Sequence, residues 1–386
     1  MKLLCYKING EYLDLLGICN NANSILWTLN FFKGDTFSIK APATKENIAF
    51  FKQGNVVELV KNTNSNNSYY CGIVTSISIQ QTMQGEQINV QGKSVDGMLD
   101  RRVLTEYATG DSFMTILRKN AGDLALVGRN FPATSFITNE DFSGVFGDAM
   151  RFKKLSEYVN TAGQFLGVGL RSYIAHNIVD LETGKYLKPY FAIEAYKGVD
   201  RSVEQTENKA IVFSDAYQNA TNFEYDYNEN GAVTSVVMYS SADYDAVNKI
   251  DVESFVGYDA AAIGFDRIEK AGTVKAVTTE ENRGSALSPD WWTVLDYNAT
   301  AEVAKEKQDT LYVKPTSAFD CELQLPESYS KAFEIGDIIT TQNSGWNITE
   351  NKRITQITEL YDSNKTQIKA TLGEPLKSLS EIMRSR

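Results

Sequence analysis

Two stretches of the chain alternate apolar and polar residues in nearly the same way. From Val56 to Lys61 an apolar-rich run leads into the turn formers "NTNSNN". Tyr69–Ile79 then places Ile73, Ile77 and Ile79 on one parity, as a half-buried strand requires. Gln84-Gly85 turns the chain, Ile88 and Val90 alternate with polar neighbours, and the stretch stops at Gly92. Near the other end, Asp337–Thr341 reads as a strand and "QNSGWN" as a turn. Arg353–Leu360 alternates through Ile354 and Ile357, "YDSNK" turns again, and Thr366–Leu372 leads to Gly373. Gly54 and Gly92 lie 38 residues apart, Gly336 and Gly373 37; Gly54 to Ile73 is 19 and Gly336 to Ile354 is 18. Two three-strand meanders of matching size predict a duplicated β-barrel or sandwich unit.

The period changes between them. "DSFMTILRKNAG" offers Asp111 or Ser112 as N-cap, Phe113, Ile116 and Leu117 as an apolar face, and a glycine stop. "RFKKLSEYVNTAGQ" sets Phe152, Leu155, Tyr158 and Val159 on one helical face before Gly163. "FLGVGLRSYI" and "YFAIEAYKG" read as strands of a small α/β unit. Asn230-Gly231, between two strand-like runs, predicts a hairpin. "SPDWWTVLDYNATAEVAKEKQD" reads as one helix opened by Ser-Pro, and the final "LKSLSEIMRSR" as a short one.

Composition agrees with a β-rich protein: 20 Tyr and 19 Phe in 386 residues, with abundant Thr, Val and Ile, suit pleated, half-buried surfaces. A formal charge of −11 with no basic stripe argues against broad binding to nucleic-acid backbones. The N-terminus is broken by Lys7, Asn9, Glu11 and Asp14, so no signal peptide is expected, and no run approaches a membrane span. Cys5, Cys19, Cys71 and Cys321 have neither CxxC nor metal spacing and read as reduced, partly buried thiols.

Candidate chemistry is thin. His176 is the only histidine, which removes multi-histidine metal sites and leaves one possible partner for a nucleophile. No G-x-S-x-G elbow or P-loop is present, and "GQFLGVGL" follows a helix, the wrong context for dinucleotide binding; Gly167 and Gly169 read as a helix stop and a turn into a strand. "DYNENG", Asp226 to Gly231, copies the opening of a calcium loop, but Val237 stands where the bidentate glutamate belongs, so a turn is the expectation. The pairs Glu140-Asp141 and Glu280-Glu281 read as solvated charge. Trp291-Trp292 and Trp346 read as core or helix-start residues, or, in a sugar-binding protein, as stacking platforms. No catalytic, cofactor-binding or metal residue is assigned.

Several segments, in order, resemble the baseplate-hub (tail-tip) proteins of tailed phages and prophages, the siphophage type above all. "ILWTLNFFKGDTFSIKAPAT" (Ile25–Thr44) is similar to the family's early strand pair. "INVQGKSVDGMLDRRVL" (Ile88–Leu104) is similar to its strand, glycine and arginine-ended helix. Gly198, Asp200 and Arg201 match a Gly-x-Asp-Arg segment before a Val-Phe-Ser strand, and Arg267 and Glu269 match a short Arg-x-Glu strand. "IGDIIT…RITQITE…IKATLG" is the most characteristic part.

The resemblance implies a mainly β fold with α+β insertions: two related antiparallel β-barrel domains plus two smaller mixed domains. The divisions expected are 1–105 for the first barrel, 106–200 for an α/β domain, 201–287 for a β-rich domain, and 288–386 for a helix plus the second barrel. It further implies a homotrimeric, non-enzymatic plug and adaptor at the tail tip of a virion, made in the host cytoplasm and passing DNA in transit only. Its partners would be itself, distal-tail or tail-tube ring proteins, the tape measure protein, and receptor-binding proteins or fibres, with no cofactor and no membrane span. The chain stops about a dozen residues after Gly373, so no appended peptidoglycan hydrolase is expected. The alternatives are a receptor- or carbohydrate-binding tail component and a tail-associated cell-wall hydrolase. If "DYNENG" is only a turn, calorimetric titration with calcium gives no heat.

Overall fold

The structure is a computed structural model. It describes residues 2–61, 67–82, 85–105, 111–138, 142, 152–176, 187–241, 254–258, 263–309, 311–324, 332–362 and 366–373. The chain opens with β1 (Lys2–Asn9), β2 (Tyr12–Cys19), β3 (Ser24–Asn30) and β4 (Thr36–Pro42). Helix α1 (Lys45–Phe50), capped by the Thr44 hydroxyl, which accepts from the Asn47 N–H, leads into β5 (Val56–Val60), the two-residue β6 (Asn67–Ser68), β7 (Cys71–Thr82) and β8 (Gly85–Lys93). A mixed region follows: α2 (Phe113–Ala121), β9 (Thr134–Ile137), α3 (Leu155–Leu166), β10 (Gly169–Ala175) and β11 (Tyr190–Tyr196). Ser112 caps α2 and Gly122 ends it, as the sequence predicts. Helix α3 runs through Gly163 and stops at Gly167, whose φ of +66° suits the left-handed cap that glycine adopts without strain.

Next come β12 (Asp200–Arg201), β13 (Val212–Ser214) and β14 (Ala220–Asn228), then β15 (Ser235–Ser241), β16 (Ser254–Tyr258), β17 (Glu269–Lys275), β18 (Thr278–Asn282), β19 (Trp291–Leu295) and α4 (Tyr297–Asp309). The chain continues with β20 (Thr316–Leu323), β21 (Ile338–Asn343), β22 (Ile348–Asp362) and β23 (Thr366–Gly373). The chain forms two compact units, one built from residues 1–225 and 318–374, the other containing 226–317. In the second unit β15 pairs with β16 and with β17, β18 and β19 form a hairpin, and Val233, Val236, Met238, Val274 and Ala304 form a small core.

A mainly antiparallel sheet of 14 strands fills the first unit in the order β14-β20-β23-β22-β3-β4-β8-β7-β5-β1-β2, with β21 on β22, and β12 and β13 on β21. Among the described residues this path has two ends, at β14 and β2, and closes into neither of the two expected barrels, because β3 bonds to β22 instead of turning back on its own half. The halves are nevertheless related strand by strand, β3-β4-β8-β7-β5 answering to β14-β20-β23-β22-β21.

Backbone detail carries the repeat. Gly54 N–H donates to Val74 C=O and Val74 N–H to Asn55 C=O; Gly336 N–H donates to Ile354 C=O and Ile354 N–H to Asp337 C=O. Gly54 and Gly336 both have positive φ, +86° and +96°. A bulge lies between Val74 and Ser76 on β7, and another between Ile354 and Gln356 on β22. Phe37 lies opposite Gly92 and Phe319 opposite Leu372, and an aromatic ring packs against each: Trp27 stacked on Phe37 at 4.8 Å, Tyr225 tilted against Phe319 at 4.7 Å. The glycine spacing in the sequence is therefore slightly out of step. Ile354 corresponds to Val74 rather than Ile73, and Gly373 to Lys93 rather than Gly92, since glycine marks the turns and not the register.

One core joins both halves, including Trp27, Ile39 and Val90 with Phe319, Ile357 and Leu372; a second gathers α2 and α3 against β10 and β11. Three expectations change. Ile77 and Ile79 are 40% and 49% exposed, and past the start of β7 it is Val74 that enters the core instead. Asn230-Gly231 is a turn, but the strands beside it pair elsewhere, β14 with β20 and β15 with β16 and β17. The stretch read as one helix is strand β19 followed by α4: aromatic and β-branched residues favour the pleated partner β18, and the helix starts only where Asp296 accepts from Ala299 N–H. The expected helix at Leu376–Arg386 lies outside the described residues. Phe37→Ala and Phe319→Ala each remove a buried ring from a matching place, so each should cost about 3–5 kcal/mol in urea unfolding.

Candidate functional site: the seam between the sheet halves

β22 lies against β23 on one side. On the other it pairs first with β21, over Ile348–Arg353, and past the bulge with β3, Gln356–Asp362 running antiparallel to Asn30–Ser24. One face of this seam is buried: Ile357 is 1% exposed opposite Leu29 at 9%, and Glu359 is wholly buried opposite Trp27. The Glu359 carboxylate accepts from Tyr70 O–H at 2.8 Å, from Tyr361 O–H and from Lys61, and Lys61 lies 3.7 Å from the centre of the Tyr70 ring.

At the end of the seam Phe31 is wedged between backbones. Its N–H donates to Thr355 C=O at 2.9 Å, and Tyr196 meets its ring edge-on. A Cβ on Gly169 or on Gly336 would lie 2.4 Å from that ring, so only glycine allows the approach. Arg353 covers Phe31 from 5.0 Å and donates to Gly336 C=O at 2.5 Å. Next to it the buried Asp337 accepts from Val199 N–H at 2.7 Å, Arg201 Nε at 2.9 Å and Glu334 N–H at 3.1 Å. A Cβ on Gly198 would fall 1.8 Å from Gly336 C=O. Thus Gly198 and Arg201, singled out in the sequence, are the residues that seat β12 on β21.

A cavity of about 90 Å³ opens behind the seam, among Leu29, Tyr69, Tyr70, Ser172, Tyr196 and Phe333. Arg171 stands between the Tyr69 and Tyr196 rings and is paired with Glu194 at 2.5 Å. Asp35, at the cavity wall, accepts from Asn30 N–H at 2.7 Å; Asp96 accepts from Ser172 O–H at 2.6 Å. Burial holds Asp35 well above the ordinary carboxylate range, and the charge of Asp96 adds to it; burial also raises Asp96.

His176 reaches Glu58 at 3.0 Å rather than a thiol or hydroxyl, and Tyr6 O–H donates to the other Glu58 oxygen at 2.6 Å. Burial pushes Glu58 up, but the hydrogen bonds from His176 and Tyr6 outweigh it and leave the carboxyl lowered. The four cysteines are free and buried, and burial raises Cys5 and Cys321 to about 12 and Cys71 well above the usual thiol range. Among the described residues no group of three or more His, Cys, Asp or Glu could hold a metal ion, and no helix is long and apolar enough to cross a membrane. In the calcium-loop lookalike Asn228 accepts from Asn230 N–H at 2.8 Å, and Val237 sits in β15. Trp291 and Trp346 are 61% and 47% exposed, so neither is core. Arg267 and Glu269 pair with each other at 2.6 Å. The Glu359 and Phe31 clusters escape sequence reading because their members lie up to hundreds of residues apart; the glycines of "GVG" and "IGD" were the only local signal.

Raised carboxyls take up protons on folding, so their contribution is present at low pH and lost as pH rises through the folded-state value. Asp35→Asn keeps an acceptor for Asn30 N–H and removes the charge. Its melting temperature should exceed that of the wild type by an amount that grows from pH 4 to pH 8, measured by calorimetry.

The family model for siphovirus ReqiPepy6 Gp37-like proteins matches residues 6–374. No curated protein sequence matches. Among solved structures the chain is similar to the tail protein from Neisseria meningitidis MC58, with a TM-score of 0.55 at 11% identity over 97% of this chain and 96% of that one. It is similar to the 43 kDa tail protein of prophage MuSo2 from Shewanella oneidensis, with a TM-score of 0.54 at 12% identity over 96% and 98%. A chain of the lidded Francisella PdpA–VgrG complex shares the fold at a TM-score of 0.50 and 11% identity, over 97% of this chain and 52% of that one. With a fold shared end to end with solved tail proteins and 369 of its residues spanned by one family model, the chain belongs to the siphovirus ReqiPepy6 Gp37-like family.

Proposed function

We propose that this tail protein is a structural hub of the tail tip: a homotrimeric plug and adaptor that joins the tail tube to the adsorption apparatus and lets DNA pass. The observation that carries this reading is the internal repeat, two related sheet halves joined through β3 and β22. Three copies of a chain with two similar halves present six similar faces, which can dock on a sixfold ring although the hub itself is threefold. In this scheme the sheet halves of 1–105 and 288–386, the latter completed by β14 from 201–287, supply the two ring-forming parts, and 106–200 and the rest of 201–287 the smaller domains between them.

Partners follow from the position. Distal-tail or tail-tube ring proteins and the tape measure protein lie above the hub, and receptor-binding proteins or fibres below. DNA touches the hub in transit only, and the net charge of −11 would help it slide if carboxylates line the passage. A non-enzymatic role is supported by the side-chain chemistry: His176 is occupied by Glu58, and the thiols are buried and hard to ionise. A second reading, a carbohydrate-binding tail component, is favoured by the exposed rings of Trp346 and Trp291. Loss of glycan binding by Trp346→Ala would support it.

An early stop codon in this gene should leave tails unassembled or ending as aborted tubes in negative-stain micrographs. Complete tails that fail to adsorb would replace the hub by a peripheral receptor binder.

A further inference from the structure

The loop between α2 and β9, Gly122 to Phe131, is braced from within. Phe131 N–H donates to Ala121 C=O at 2.8 Å and closes its neck, and Arg118 grips Asp123 with two hydrogen bonds of 2.8 and 2.6 Å. At the tip Arg129 N–H donates to Leu126 C=O at 3.0 Å. Gly128 has a φ of +81°, the value a type II turn asks of its third residue, so Val127 stands at the outer corner. Val127 is wholly exposed, Leu126 73% and Leu124 51%. A hydrogen-bonded frame thus holds three aliphatic side chains out in water, against the tendency of such groups to leave it.

The base of the loop is basic. Arg102 Nε donates to Arg129 C=O at 2.7 Å, and the Arg129 guanidinium donates to Val103 C=O at 2.6 Å, which ties the loop to the segment Arg101–Leu104. That segment in turn pairs with Phe152–Lys154: Phe152 N–H donates to Leu104 C=O, Leu104 N–H to Lys153 C=O, and Val103 bridges Lys154. Two basic pairs far apart in sequence, Arg101-Arg102 and Lys153-Lys154, are so brought together beside Arg129, with Val103 and Phe152 exposed among them. The hydrogen bonds of Arg102 and Arg129 go to carbonyls and to the Asn120 side-chain oxygen, not to carboxylates. Burial and the charges of Arg129 and Arg101 lower Arg102 from the usual guanidinium value. Of the acids nearby, Asp123 is paired with Arg118 and Asp100 with Lys93, which leaves Glu157 in the first turn of α3 against these cations. In a chain of net charge −11 this face has the opposite sign.

We propose that this face docks on an anionic lipid bilayer, with Leu124, Leu126 and Val127 entering the acyl boundary and Arg101, Arg102, Arg129, Lys153 and Lys154 meeting the headgroup phosphates. An aliphatic tip inside a basic collar is the surface that such an interface selects, apolar area for the boundary and positive charge for the leaflet. Other anionic partners fit it less well. Leucine and valine offer nucleic-acid bases no ring to stack on. A convex turn has no groove to receive a segment of an acidic protein, whereas a bilayer closes around any small wedge. The attachment is peripheral, in keeping with the lack of a membrane-crossing helix among the described residues. It goes beyond the hub reading and does not rest on it.

The test is flotation of the full chain with vesicles of equimolar phosphatidylglycerol and phosphatidylcholine, and with vesicles of phosphatidylcholine alone. The protein should float with the anionic vesicles at low salt, leave them at high salt, and ignore the neutral ones. Leu126→Asp combined with Val127→Asp should weaken binding about tenfold or more, and Arg101→Ala about fivefold. All three positions are exposed, so the circular-dichroism spectrum of each variant should match the wild type. Val127→Cys carrying an environment-sensitive fluorophore should brighten on the anionic vesicles, and the native cysteines, being buried, take up no label. Absence of flotation with the anionic vesicles would overturn the lipid assignment and leave the face to an acidic protein. Flotation that the double variant does not weaken, or a label at position 127 that stays dark on bound vesicles, would overturn insertion of the tip. None of these outcomes depends on trimer formation, so the hub reading stands or falls separately.

Discussion

The buried Glu359 carboxylate fixes how the two halves of the large sheet must meet. It has no exposure to solvent, and a charge in that position costs several kcal/mol unless it is matched. Lys61 and Tyr70, which match it, come from the other half of the sheet, from the loops on either side of β6. The seam between β3 and β22 therefore carries more than backbone hydrogen bonds: any slip of register would strand a buried charge. With that register held, Phe31 falls onto its glycine-lined seat, Arg353 and Asp337 follow from β21 and β22, and β12 is brought into line by Arg201.

The mixed region depends on the same arrangement. Gly169 starts β10 directly against Phe31, and β11 ends at Tyr196, whose ring meets Phe31 edge-on and whose hydroxyl donates to Ile335 C=O. Asp35 and Asp96 lie behind this contact; burial raises both carboxyls, and the charge of Asp96 raises Asp35 further. Polar groups are plentiful here, and the hydrogen bonds of Tyr196 and Asp337 hold backbones together.

Much of this was legible in the alternation of residues. The meanders β5-β7-β8 and β21-β22-β23 were placed from Ile88, Val90, Ile354 and Ile357, and helix α2 from its cap and apolar face; of the face expected for α3, Leu155, Tyr158 and Val159 are buried in the helix, whereas Phe152 is exposed before it and the stop is Gly167 instead of Gly163. What failed did so for identifiable reasons. Ile77 and Ile79 have the parity of a covered strand, but parity says which residues share a face and not whether anything covers it. Trp291–Leu295 was absorbed into a helix since the Ser-Pro signal lies close to a true helix start. The pairing of β3 with β22 has no local trace, being a contact between opposite ends of the chain, and so the expected closed barrels could not be told in advance from two joined halves. The glycines at 169, 198 and 336 were visible as residues, but what each one makes room for was not.

The distance in sequence across the seam has a consequence for how the protein comes into being. β3 is among the first strands to leave the ribosome, and β22 among the last. At synthesis rates of about 5–20 residues per second, β3 waits roughly 20–60 s before its partner exists. During that interval the N-terminal strands can form their own pairs, but Trp27, Leu29 and the edge of β3 have no lasting cover. A nascent chain in this state is a sticky one, and crowded synthesis on a single message places several such edges side by side. Completion of the C-terminal meander is thus a release step in biogenesis, which takes the early strands out of reach of their neighbours.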